Sequence, residues 1–331
     1  MQKDDERIVM FFDIKVETYA SLGRAGKLMG LKAHTLADLF KIVKTLRAAD
    51  DLLSMKNRKS TEMCYLADLR LDDDLEFLVL LINRSDKAAP NFVLSDPVKR
   101  QRREIIKRKD EGADYSAHLA IRLVSVAPQT YRAILEVSPG LPSAKITAYL
   151  NHVMRLCDLA FPQAFHRPHP DGSVDRDGNP RIVKARHRFE LRGHPSTGFF
   201  KDLESGKLEG IELLDDKHKD NPWDANGYIV EEKRSVFLHE SHQKIKGRII
   251  DAVKSVCAEA RKKSFDRMRV KFKTQDEISR TVTLETESAQ IADDERYVKK
   301  ETIRDFPAPL PASFEVISTE ISERMCVLLK G

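Results

Sequence analysis

The chain has 331 residues, 41% hydrophobic and 33% charged, which is length enough for one large or two ordinary domains and the polarity of a globular protein. No apolar run approaches the roughly eighteen residues of a membrane span, and the opening MQKDDERIVMFFDIK lacks the plan of a signal peptide. The formal net charge is only +5, yet it is segregated: seven of the eleven residues in 99–109 are Lys or Arg, and 244–273 holds eleven cations against three acids.

Residues 8–16, IVMFFDIKV, place Ile8, Met10, Phe12, Ile14 and Val16 at period two, which predicts a strand with one dry face. In 34–51, Leu36, Leu39, Phe40, Val43 and Leu46 recur at helical spacing, and Thr35 with Asp38 is a capping signal. EMCYLADLRL (62–71) alternates again, with Met63, Tyr65, Ala67, Leu69 and Leu71 expected on one side. LEFLVLLINRS (75–85) is a continuous apolar run, the mark of a buried central strand. In the basic run VKRQRREIIKRKDE (98–111), Ile105 and Ile106 fit as anchors of a short helix whose cations stay in water. AHLAIRLVSV and TYRAILEV then read as strands across a hairpin-sized gap. Residues 138–161 read as a helix with Ile146, Tyr149, Leu150, Val153 and Leu156 on one face.

Residues 162–180 carry four prolines and two glycines and read as a loop or interdomain joint. Beyond them, RIVKARHRFELR predicts a strand and STGFFKDLESG a short helix. GIELL and YIVEEKRSVFL read as strands flanking a polar loop. A long helix is expected over 241–264, with Ile245, Ile249, Val253, Val256 and Ala260 inward. RMRVKFK and RTVTLETE predict a hairpin, and Phe314, Ile317, Ile321 and Leu328 mark a final helix face. The expected fold is α+β: an N-terminal domain over 1–161, a linker or loop over 162–180 and a C-terminal domain over 181–331, each a mainly antiparallel sheet with covering helices.

The sharpest chemical pattern is RMRVKFK, in which Arg267, Arg269, Lys271 and Lys273 alternate with Met268, Val270 and Phe272. On a strand the four cations share one face, roughly 6.6 Å apart. Their mutual repulsion is relieved either by a phosphate backbone, with counterion release, or by Glu285 or Glu287 on the next strand. The preceding helix adds Lys244, Arg248 and Lys254 on its polar flank and Arg261, Lys262 and Lys263 at its end, where cations also complement the helix dipole. Lys99, Arg100, Arg102 and Arg103 are expected to be a solvated, flanking contribution. No homeodomain, zinc finger or aromatic RNA-binding motif is present, so backbone contact without sequence preference is the expected mode.

Two other chemistries fit parts of the chain. Asp215 or Asp216 followed by Glu231 and Lys233 has the order of a PD-(D/E)xK nuclease; on a strand Glu231 and Lys233 share a face, as a magnesium ligand and a water-orienting cation must. His166, His169, His187 and His194 with Asp171, Asp175 and Asp177 suggest a metal. However, HRPHP is not a helical HxxH pair, and SVDRDGNPRIVK has Lys184 where a calcium loop needs a bidentate glutamate. Surface histidines on turns are the expectation there, and no cofactor is expected. The four cysteines lie far apart without a CxxC pair, which speaks against a zinc module or disulfide framework and predicts a cytoplasmic protein with reduced thiols.

IIKRKDEGADYSAHLAIRL (105–123), MRVKFKTQDEISRTVTLETE (268–287) and YVKKETIRDFPAPLPASFEVISTEISERM (297–325) together resemble the RexA phage-exclusion proteins. These are related to a group of sequence-tolerant DNA-binding proteins in phage defence that includes the KwaB subunit of Kiwa. The likeness lies in strand order, a charged hairpin and a final amphipathic helix; the proline-rich 162–180 departs from it. The resemblance implies a homodimeric, two-domain protein that binds DNA without strong sequence preference and acts with a partner, such as a membrane effector. It carries over no individual residue. A non-catalytic protein-interaction module using the last helix is the remaining alternative.

Overall fold

In a computed structural model of the chain, the structure describes residues 5–21, 26–49, 52–72, 74, 76–215, 226, 228–229, 233–239 and 248–330. In chain order the first elements are β1 (Arg7–Ser21), β2 (Lys27–Leu28), α1 (Leu36–Ala48), β3 (Met55–Lys56), β4 (Glu62–Leu71), β5 (Phe77–Asp86), β6 (Phe92–Asp96) and β7 (Gln101–Ile105). Then come β8 (Ala113–Ala127), β9 (Thr130–Glu136), α2 (Ser143–Ala160), β10 (His166–Pro168), β11 (Ile182–Gly193), α3 (Thr197–Ser205), β12 (Lys207–Asp215) and β13 (Arg234–Leu238). The last are α4 (Ile249–Lys262), β14 (Arg267–Lys273), β15 (Ser279–Glu285), β16 (Lys300–Ile303) and α5 (Thr319–Lys330).

The chain is mixed helix and strand, built on large antiparallel sheet. It divides into two compact units, but not at the expected boundary: one unit comprises 1–10, 14–190 and 301–331, the other 11–13 and 191–300. The expected linker 162–180 lies inside the first unit, where β10 pairs antiparallel with β11. Its prolines and acids make tight turns instead of a joint. The Asp171 carboxylate accepts the Ser173 N–H at 2.8 Å, and Asp175 accepts those of Asp177 and Asn179, both at 2.9 Å.

The first unit is built on the sheet ordered β10-β11-β1-β9-β8-β5-β4-β3, with β2 and β16 also paired to β1. β5 is its centre, with Phe77 to Asn83 all buried, as the apolar run predicts. α1 forms as expected: Thr35 accepts the Asp38 N–H at 3.1 Å, and Leu36, Leu39, Phe40, Val43 and Leu46 are buried. β4 turns the other way from the expectation. Cys64 and Leu66 face inward, and a register shift between Leu66 and Asp68 breaks the alternation. Ile8, expected on the dry face of β1, is exposed, while Val9 and Met10 are buried. On α2 and α5 the buried face runs through Cys157 and Leu329, with Leu156 and Leu328 at its margin.

A buried polar chain joins sheet and C-terminal segment within this unit. Arg7 pairs with Glu136 at 2.9 Å, both 1% exposed, and the other Glu136 oxygen lies 2.6 Å from His118 Nδ1. With Nδ1 donating to the carboxylate, Nε2 accepts the Ser318 N–H at 3.0 Å. Asn83 donates to the Phe314 carbonyl at 2.8 Å, and Asp68 accepts the Ile317 N–H at 3.0 Å. These side-chain bonds satisfy backbone groups of a segment that has no strand of its own.

In the second unit a four-stranded sheet runs β13-β12-β14-β15, all antiparallel. α4 begins at Ile249, not near 241, with Ile249, Val253, Cys257 and Ala260 buried; Val256 is only partly covered, and Ile245 lies outside the described residues. All four cysteines are buried and free. Among the described residues no helix is long and apolar enough to cross a membrane.

Candidate nucleic-acid interface

The basic run after β5 is not a helix. It forms the return strand of a hairpin, β6–β7, inserted between the sheet strands β5 and β8 and separate from the main sheet. The sequence folds this way because Asp96-Pro97 is a strong turn signal between FVLS, which favours strand, and the cationic run QRREI, which then returns along it. Asp96 Oδ1 accepts the N–H groups of Val98 and Lys99 at 3.1 and 3.0 Å, and Pro97 sets the turn's first φ. Arg100 closes the loop in the left-handed region at φ 51°, a conformation that costs a non-glycine residue about 1 kcal/mol or more.

The root of this arm is tied down. The Lys107 ammonium donates to the carbonyls of Lys87 and Ala89, and Lys107 N–H to Asn91 Oδ1 at 3.2 Å, so Lys107 is a strut. Lys87 pairs with Asp110 at 3.2 Å. Gly112 lies so close to the Asp86 backbone that a Cβ there would sit 2.8 Å from it, leaving room for glycine alone.

The register pairs Phe92 with Ile105, Leu94 with Arg103 and Asp96 with Gln101, so these six side chains share one face; Val93, Ser95, Arg102 and Glu104 take the other. Both faces are open: Phe92 is 51% exposed, Leu94 50%, Ile105 48%, and Val98 at the tip 91%. Arg100, Arg102 and Arg103 are exposed and have no ion-pair partner among the described residues. Lys99 reaches only its neighbour Asp96, at 3.8 Å. The arm's other acid, Glu104, accepts a hydrogen bond from Asn91 at 2.7 Å. Sequence reasoning singled out Lys99, Arg100, Arg102 and Arg103 but missed Phe92, Leu94 and Val98. The Asp-Pro turn after the β-prone FVLS was the available signal.

β14 has the predicted alternation, with Met268, Val270 and Phe272 buried and the four cations on the opposite face. That face is already compensated. Arg269 pairs with Glu212, directly opposite on β12, at 2.6 Å. Lys271 reaches Glu209 at 3.7 Å and Lys273 reaches Glu277 at 3.3 Å. The glutamates expected as partners on the next strand also reach Arg192, with Glu285 and Glu287 at 3.5 and 3.4 Å from it. Arg267 stands opposite Glu285 in the register.

The cations around α4 are also partly engaged. Arg261 donates to the Thr286 carbonyl at 3.0 Å, Lys262 pairs with Glu259 at 2.6 Å, and Lys254 sits 5.9 Å from the Phe200 ring centre. Arg248 is the N-cap residue, where its charge opposes the helix dipole, while Lys263 is the exposed C-cap. Lys244 lies outside the described residues.

The nuclease triad is not brought together by anything described: Asp216 and Glu231 lie outside the described residues, Asp215 is buried in β12, and Lys233 is exposed just before β13. Among the described residues no cluster of three or more His, Cys, Asp or Glu side chains is placed to hold a metal ion. The histidines have separate partners. His169 pairs with Asp171 at 2.5 Å, His194 with Asp13 at 2.9 Å, and His187 contacts His34 at 3.2 Å. Burial, followed by the nearby His34 and Arg167 charges, pushes the His187 imidazole down to about 3. This histidine is a neutral core group and not the surface residue the sequence suggested. A scan against protein-family models finds no match for the chain, and a search of curated proteins finds none either.

Proposed function

We propose that the protein binds DNA without strong sequence preference and that the β6–β7 arm makes the principal contact. One observation carries this reading: Arg100, Arg102 and Arg103 stand in solvent on a tied-down hairpin without an ion-pair partner among the described residues, one of them held at a positive φ. A folded chain gains nothing by itself from such an arrangement; a polyanion does. The β14 cations contribute less, because acids of their own unit already pair with three of them; of the α4 cations Lys262 is paired with Glu259 and Arg261 is held on the Thr286 carbonyl. A role in phage defence, a homodimeric state and a membrane-associated effector partner remain part of this reading through the resemblance described above.

The test is a titration of labelled duplex and single strand at several salt concentrations, with and without magnesium. Salt-sensitive binding indifferent to sequence supports the proposal. Magnesium-dependent cleavage supports the nuclease instead, and absence of binding at low salt leaves the protein-interaction reading.

A further inference from the structure

Resting on the reading of the arm as a DNA contact, we infer that the arm tip is a wedge that kinks the duplex, and that the preferred ligand is duplex DNA whose stacking is already broken. Val98 is 91% exposed, and it stands at the far end of the hairpin between Pro97 and the cations Lys99 and Arg100. Water is a poor environment for an isolated valine, and nothing described in the first unit covers it. The loop that presents it is preorganised, because Asp96 holds two of its N–H groups and Pro97 fixes the backbone.

Behind the tip, the exposed apolar side chains Phe92, Leu94 and Ile105 share a face with Arg103, Gln101 and Asp96. The exposed cations Lys99, Arg100, Arg102 and Arg103 beside these apolar side chains complement a DNA groove, whose walls are phosphates and whose floor is base edges. That charge pattern favours DNA over an apolar protein partner. Apolar side chains that enter the minor groove and insert between base steps part adjacent base pairs, and the cost is stacking free energy. Where a nick, a mismatch or a flexible TA step has already weakened stacking, that cost falls and affinity rises.

The test uses the full chain and three end-labelled duplexes of about 30 base pairs: intact, centrally mismatched and nicked. Affinity is read by anisotropy and bending by energy transfer between the ends. The expected results are a shortened end-to-end distance on binding and affinity for the mismatched and nicked duplexes about tenfold above the intact one. V98S should keep the thermal melt and the salt dependence while losing both the bend and the preference; V98F should keep them. Binding without bending, or V98S bending the DNA like the parent, overturns the wedge and leaves the DNA-binding reading standing. No binding to any duplex overturns both. If the tip instead covers a second copy of the chain, V98S lowers the sedimenting mass and leaves the preference among duplexes unchanged, which also overturns the wedge.

Discussion

Replacing Arg100, Arg102 and Arg103 with Gln removes the three cations of the arm that have no acid partner among the described residues. Deleting one cation–phosphate interaction flattens the log–log dependence of duplex affinity on salt by about 0.9, so deleting three flattens it by about 2.7. Between about 50 and about 200 mM salt, that slope amounts to about 40-fold in affinity, a difference easily read by fluorescence anisotropy. The weakening should be alike for unrelated duplexes, since phosphates carry no sequence. Folding should survive, because exposed charges contribute little to stability. The comparison is the quadruple variant R267Q, R269Q, K271Q and K273Q. Three of its cations already have acid partners at 2.6 to 3.7 Å, so its slope should change by less than about 0.9. If the β14 variant flattens the slope more than the arm variant, the ranking of the two patches is wrong.

The remaining predictions concern stability and catalysis. Hydrogen bonds from Arg84 and then Lys145 hold the Glu62 carboxyl below the usual carboxylate range. Its contribution is therefore full above the unfolded pKa and lost as pH falls through the lower folded value. E62Q should cost about 1–3 kcal/mol at neutral pH and flatten the acid limb of the stability curve in urea titrations; an unchanged limb would count against the network. E136Q should cost about 3–5 kcal/mol in the same assay because it leaves Arg7 charged and buried. L80A, in the fully buried centre of β5, should cost about 2–5 kcal/mol. Duplex incubated with magnesium should be recovered intact on a denaturing gel; cleavage abolished by D216A or E231A would establish the nuclease instead.

Local chemistry made several elements legible in the sequence. Thr35 and Asp38 gave the start of α1, the unbroken apolar run gave β5, and the period of two gave β14. The β4 face was missed because Cys64 and Leu66 on one side are as apolar as Met63, Tyr65 and Ala67 on the other, and the irregularity at Leu66–Asp68 then breaks the alternation. The arm was missed because a run of cations with two isoleucines is compatible with helix and strand alike, and only the Asp96-Pro97 turn discriminates. The compensation of β14 was hidden for another reason. Glu212 stands 57 positions from Arg269 in the sequence, and the pairing of β12 with β14 brings them opposite. The same long-range logic hid the return of 301–331 to the first unit, which depends on Asn83, Asp68 and His118 meeting backbone some 200 residues or more away.

Amide hydrogen exchange with and without duplex tests the central claim most directly. A two-stranded hairpin open on both faces has few buried contacts, so its amides should exchange rapidly in the free protein. If the arm is the principal DNA contact, saturating duplex at low salt slows exchange across 92–105, and about 1 M salt abolishes the effect. Protection confined to 267–273, with 92–105 unchanged, would contradict it.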